Sequence, residues 1–250
     1  MSYETLIYAK DSGIGRITIN RPDAMNAITP GMLKELKAAV LEAGKDSEVK
    51  VIVLTGAGKA FCAGVDLKAL GDRKLARGKV GNILDIPARE LIDAIRAVPK
   101  VVIALVNGFC FTGAMEIMLG CDLAIAAEEA KIGDTHAKWG LRPTWGMSAR
   151  LPRRVGFLKA RELSYTADAV SGKEAERIGL VNMAVPLDKL EEALQMLAKK
   201  IMANSPQSIM AYKKLYNANE SMTLDKSLKL EFGSEFDITD TDQRLAGFRK

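Results

Sequence analysis

Residues 101–127 constrain this chain more than any other segment. They form its longest apolar stretch, yet Asn107 and Gly108 interrupt it with a turn signal, and Glu116 and Asp122 would lie unpaired in hydrocarbon. The segment therefore reads as folded protein interior, not as a membrane span. Residues 101–106 read as a strand apolar on both faces, 113–120 as a short apolar helix, and 122–126 as a further strand of the first kind. Residues 51–55 have the same doubly covered character. Such strands belong to parallel sheets flanked by helices, so this half of the chain is α/β.

Upstream, residues 6–9 and 14–20 are short β-type runs joined through Asp11, Ser12 and Gly13, which predicts a hairpin. Thr29 before Pro30 is a helix start, and apolar residues recur at helical spacing from Met32 to Gly44. Residues 56–66 read as a small, Gly-rich turn, 68–82 as a mobile basic loop carrying Arg73, Lys74, Arg77 and Lys79, and 88–97 as a helix. Beyond Pro143 the pattern becomes one of capped helices, with Ser171, Asp188, Ser205 and Asp240 as the expected caps. No fixed-period repeat is present, which argues against solenoids and propellers.

The 250 residues suffice for a large core without disulfide staples. Cys62, Cys110 and Cys121 have no metal-type spacing, an odd count and apolar neighbours, so they read as core residues of a protein in a reducing, cytoplasmic compartment. The first residues lack the basic-then-apolar order of a secretory signal. The net charge of +5 is localised: residues 131–177 carry ten basic and five acidic groups, and the sequence on either side is balanced. Arg150, Arg153 and Arg154 cluster there without interleaved aromatics. That pattern disfavours nucleic acid and fits a small anionic ligand.

Three constellations can carry chemistry. Residues 60–66 either aim backbone N–H groups at a ligand oxygen or simply form a tight turn. Residues 107–116 open a helix at Gly113, placing free N–H groups near Glu116, whose apolar neighbours should desolvate it and raise its pKa. Glu116 then serves either as a poised acid/base or as a structural carboxylate paired to a cation. His136 is the sole histidine, which excludes multi-histidine metal sites and leaves a structural or a catalytic role open. No metal is expected.

In order along the chain, Asn20–Asn26 (NRPDAMN), Ala60–Leu67 (AFCAGVDL), residues 106–122 around Asn107, Gly108, Gly113, Glu116 and Asp122, and the Gly140, Pro143, Gly146 spacing resemble the crotonase (enoyl-CoA hydratase/isomerase) superfamily. The resemblance implies a spiral of ββα repeats over residues 1–190, a helical trimerisation region over 191–250, and a homotrimer or a dimer of trimers. It implies an acyl-CoA thioester substrate with coenzyme A as part of it, no tightly bound cofactor, and no nucleic-acid or membrane partner. By the same resemblance, the N–H groups of Ala63 and Gly113 form an oxyanion hole, and coenzyme A lies along Ala24, Met25, Ala63, Gly64, Val65, Asp66 and Gly113.

Hydratases of this family pair two glutamates. Glu116 matches the first, whereas His136 stands where the second is expected, and Thr112, Gly113 and Ala114 replace a run of three glycines. The resemblance thus implies Glu116 and His136 as the catalytic pair and hydration of 2-enoyl-CoA as the leading activity. Three alternatives stay open: double-bond isomerisation by Glu116 alone, thioester hydrolysis or decarboxylation, and an RNA-binding or scaffolding homologue without activity.

Overall fold

The computed structural model describes residues 3–68, 71 and 76–247. Arg73 and Lys74 of the basic loop lie outside the described residues.

The hairpin forms as the alternation predicts, β1 (Leu6–Asp11) pairing antiparallel with β2 (Ile14–Ile19). Thr29 Oγ1 accepts from Met32 N at 3.2 Å and starts α1 (Pro30–Lys45) with Pro30 at its first position. Three strand-strand-helix units follow. They are β3 (Val51–Gly56), β4 (Ala60–Cys62) and α2 (Asn82–Ala97); β5 (Val101–Val106), β6 (Phe109–Phe111) and α3 (Gly113–Gly120); and β7 (Leu123–Ala127), β8 (Lys131–Gly133) and α4 (Met147–Thr166), the last kinked at Gly156. Then come β9 (Val170–Ser171), α5 (Gly172–Arg177), β10 (Met183–Val185), α6 (Leu190–Met202), α7 (Pro206–Asn219), α8 (Leu224–Gly233) and α9 (Thr241–Leu245).

Each unit adds its first strand to one sheet and its second to another. Among the described residues the orders are β1-β2-β3-β5-β7-β10 and β4-β6-β8-β9, parallel except for the β1-β2 and β8-β9 pairs. The chain therefore advances as a spiral of ββα turns, as the resemblance implies, although no sequence repeat announces it. The apolar runs are buried as expected: every residue of β3 and α3 is buried, as are five of the six in β5.

Several local expectations change. β4, β6 and β8 have three residues each, too few for a period to register, so the Gly-rich 56–66 segment contains a strand that its composition concealed. α2 begins at Asn82, not at 88, with Pro87 inside it. The proline removes one ladder bond, to the carbonyl of Ile83, and Ile83 is exposed, so water can satisfy that oxygen. Ser171 and Ser205 cap α5 and α7. Asp188 falls within a short 3-10 turn before α6, and the Asp240 carboxylate accepts from Ser205 and Arg244 instead of capping α9.

Two buried polar residues hold the frame. Lys213 on α7 donates to the carbonyls of Ile95 and Lys100 and to Asp122, each at 2.7–2.8 Å, which ties the C-terminal helices to the spiral. Asn26, fully buried, accepts from Arg21 N and donates to the carbonyls of Ala57 and Ala60. This is the structural content of the Asn20–Asn26 motif: one side chain fixes the turn after β2 against the link from β3 to β4. Replacing it with alanine leaves three backbone groups without their partner. Asn26→Ala is expected to cost about 2–4 kcal/mol, read as a lower urea midpoint with an unchanged slope.

Candidate active site

The 63–66 turn is placed by a single parallel bridge to Ile28, whose N–H donates to Gly64 O at 2.8 Å and whose carbonyl accepts from Asp66 N at 3.0 Å. The residue between those bonds, Val65, necessarily turns its own N–H to the opposite side, where it finds no acceptor among the described residues. Ala63 differs: its N–H donates to Met25 O at 3.0 Å. The donor expected at Ala63 is therefore occupied, whereas among the described residues the N–H groups of Gly64 and Val65 have no acceptor, and of these two only Val65 lines the cavity described below. Gly64 makes the turn possible, with φ at 93° and a position where a Cβ would come within 2.6 Å of Thr112 Oγ1.

A second free donor comes from Gly113, the first residue of α3. Thr112 before it is held at φ 49°, ψ −113°, a conformation costly for a β-branched residue, and its N–H donates to Gly133 O at 3.0 Å. The glycine is obligatory for another reason. A Cβ at position 113 would lie 2.4 Å from the Trp145 ring, so the indole packs directly on the α3 start.

Glu116 sits one turn further along, 1% exposed. Its Oε1 accepts two backbone N–H groups, from Trp145 at 3.0 Å and Met147 at 2.9 Å, while Oε2 faces His136 Nε2 at 3.7 Å. The Trp145 segment is fixed in turn. Its indole N–H donates to Asp85 on α2 at 2.8 Å, Thr144 donates to the same oxygen at 2.7 Å, and Arg150 donates to the Trp145 carbonyl. Burial pushes the Glu116 carboxyl above the usual carboxylate range, against the opposing pull of the Met147 N–H, His136 and the Trp145 N–H. Among the described residues no lysine or arginine lies within ion-pair distance of it.

His136 follows β8 in the second sheet. Its Nδ1 lies 2.6 Å from Asp134 Oδ1, and Asp134 Oδ2 accepts from Ser164 Oγ on α4 at 2.7 Å. Asp134 was not among the residues read from the sequence. The available signal was an Asp two positions before the only histidine, the spacing of an Asx turn, which His136 N indeed makes with Asp134 at 3.2 Å.

Ala63, Val65, Gly113, Glu116 and His136 line one cavity of about 420 Å³, together with Trp139, Trp145, Lys138 and Arg142. Ala24, Met25, Gly64 and Asp66 do not line it. Ala24 and Met25 belong to the turn behind Ala63, and the Asp66 carboxylate pairs with Arg21 at 3.1 Å. Of the basic cluster, Arg150 and Arg154 donate to the carbonyls of Trp145 and Cys121, whereas Lys138 and Arg142 face the cavity. The three cysteines are free and buried, as read, and burial pushes the Cys62 thiol up to about 12.

The raised Glu116 pKa has a definite linkage sign. The unfolded chain gives up this proton first as pH rises, so folding stability declines from the ordinary glutamate pKa up to the higher folded value. A glutamine mimics the neutral carboxyl and keeps an oxygen for the two N–H groups. Glu116→Gln is therefore expected to melt above the wild type at neutral pH, with the difference shrinking toward pH 4 in thermal melts across that range.

Comparison with known proteins identifies the family. A family model described as enoyl-CoA hydratase/isomerase matches residues 9–250. A short-chain-enoyl-CoA hydratase of Clostridium acetobutylicum is 34% identical over 99% of this chain and 95% of its own length. A crotonyl-CoA hydratase of Syntrophomonas wolfei is also 34% identical, over 99% and 96%. The crystal structure of an enoyl-CoA hydratase from Bacillus anthracis superposes with a TM-score of 0.90 at 30% identity, covering 98% of this chain and 96% of that one. With the family model, the relatives and the solved structure each matching nearly the whole chain, the protein belongs to the enoyl-CoA hydratase/isomerase family, the crotonase superfamily.

Proposed function

We propose that this protein hydrates 2-enoyl-CoA to 3-hydroxyacyl-CoA. The observation that carries the reading is the placement of Glu116 and His136, 3.7 Å apart, in a cavity whose wall presents the free N–H groups of Val65 and Gly113. The thioester oxygen fits between those two donors, which stabilise the negative charge it gains when a nucleophile adds at C3. The gap between Oε2 and Nε2 is too long for a direct hydrogen bond and suits a water held by both groups. That water is the nucleophile. Glu116 serves as acid/base, with His136 as its partner where relatives of this type have a second glutamate.

The substrate carries coenzyme A, and the protein needs no tightly bound cofactor. Lys138 and Arg142 at the cavity supply positive charge for the phosphates. The nucleotide end runs along Ala24, Met25 and the 63–66 turn, in which Ala63 and Asp66 are fixed by their bonds to Met25 and Arg21. Residues 191–250 act as the assembly region of a homotrimer or a dimer of trimers. Leu224, Leu228 and Phe232 support this, since α8 buries none of its residues and Phe232 is 96% exposed. Three buried, unpaired cysteines fit a cytoplasmic location, and among the described residues no helix is long and apolar enough to cross a membrane.

Incubation with crotonyl-CoA tests the reading, followed by loss of the conjugated thioester absorbance and appearance of 3-hydroxybutyryl-CoA. Glu116→Gln is expected to lower kcat by about 10²–10⁴-fold. A parallel incubation with a 3-enoyl-CoA addresses isomerisation. Turnover of the 3-enoyl substrate alone, or of neither, overturns the hydratase reading.

A further inference from the structure

His136 stands in for a carboxylate, but the two groups differ. A glutamate offers equivalent oxygens, whereas a neutral imidazole has one donor and one acceptor nitrogen, and only one tautomer leaves the acceptor facing the reaction. Something must select it.

We propose that Asp134 is a positioning residue that holds the His136 ring by a hydrogen bond from Nδ1–H, so that whenever the ring is neutral its Nε2 lone pair is turned toward Glu116 and takes the proton from the attacking water. This rests on the hydratase reading and assigns the acid and base within it. The geometry is specific. Asp134 is 2% exposed, its Oδ1 lies 2.6 Å from Nδ1 and also accepts the His136 backbone N–H, and its Oδ2 accepts from Ser164. Oδ1 accepts the His136 backbone N–H and Oδ2 accepts the Ser164 hydroxyl, so both Asp134 oxygens act as acceptors, as an ionised carboxylate does. An ionised carboxylate has no proton to donate, so the hydrogen bond at Nδ1 must be donated by the ring.

Glu116 is complementary. Two N–H groups already occupy Oε1, so Oε2 is the oxygen left to give or take a proton. It is also the oxygen that faces Nε2. The remaining charged groups around the ring are Lys138 and Arg142 on its own turn, Asp168 across the cavity, and Arg161 on α4 behind it. Among the described residues none of these lies within ion-pair distance of the imidazole.

The proton and electron count closes. A water O–H bond breaks and its proton goes to Nε2 while the oxygen bonds to C3, and the C2–C3 π electrons move onto the thioester oxygen between Val65 and Gly113. The enolate then returns its electrons to C2, which takes the proton from Glu116 Oε2. An imidazolium and a carboxylate remain 3.7 Å apart, and transfer of one proton from Nε2 to Oε2 through the next water to enter the gap restores both groups. The net change is addition of water.

Because the chain has a single histidine, its imidazole nitrogens can be read without assignment ambiguity. The test is nitrogen NMR of the full-length protein labelled with 15N-histidine, without substrate, together with steady-state kinetics of Asp134→Asn and Ser164→Ala on crotonyl-CoA. The expected wild-type spectrum shows a protonated Nδ1 and an unprotonated Nε2 in the neutral ring. Asp134→Asn should lose that preference and lower kcat by about 10²-fold or more, as happens when the aspartate of a Ser-His-Asp triad becomes asparagine, with KM changed less than about threefold. Ser164→Ala removes the tie to α4 but leaves the carboxylate, so it should keep the tautomer and most of kcat. A wild-type ring protonated on Nε2, an Asp134→Asn enzyme with undiminished kcat, or equal losses in both variants would overturn the proposal. The tautomer is measured without turnover, so its outcome is separable from failure of the hydratase reading.

Discussion

Glu116 is the one ionisable group on α3, a helix whose eight residues are all buried, and the two N–H groups that Trp145 and Met147 direct at its Oε1 make that burial tolerable. A carboxylate left unmet there would cost several kcal/mol. Meeting it with main-chain donors instead of a lysine or arginine satisfies one oxygen and leaves the other chemically available. It also joins two distant parts of the chain: α3 in the middle of the spiral and the entry to α4 about thirty residues later.

That junction dictates much around it. Delivering Trp145 N to Glu116 brings the indole onto the start of α3, which is why position 113 tolerates no side chain. The same indole reaches Asp85, so α2 braces the wall from the far side. Gly113 therefore serves twice, as the residue that admits Trp145 and as the donor at the helix start. The strain at Thr112 lies beside that donor, where a rigid surround can sustain it. Precise placement of the N–H groups and of the carboxylate is thus one packing problem solved jointly by α2, α3 and the α4 entry.

Legibility in the sequence tracks the length over which each feature is encoded. The doubly buried strands, the hairpin and the apolar α3 each carry a pattern over five or more residues, the Thr29-Pro30 helix start is a local cap signal, and they form as read. β4, β6 and β8 fall below that length and become strands only because the preceding unit offers an edge to pair with. Glu116 was readable because a charged residue in an apolar helix is locally anomalous. The donor in the 63–66 turn was not readable at the level of single residues. Which N–H is free depends on the bridge to Ile28 and on the bond from Ala63 to Met25, each spanning some forty residues, and together they leave a donor at Val65 and not at Ala63. Charge counting located the basic surplus correctly, but Arg150 and Arg154 cap carbonyls, so the ligand-facing share is smaller than the composition suggests.

Asp134 and His136 are best understood as a unit. Were position 136 a glutamate, its carboxylate would lie between those of Asp134 and Glu116 in a site largely closed to water. Two like charges about 4 Å apart repel by roughly 4 kcal/mol at the effective dielectric typical of protein sites, and three would force protons onto the cluster. An imidazole removes that conflict because it accepts toward one carboxyl while donating to the other. The same ring would be poorly specified without Asp134, free to place its proton on either nitrogen. Each residue therefore supplies what the other lacks: the histidine relieves the buried aspartate of a like-charged neighbour, and the aspartate gives the histidine a direction.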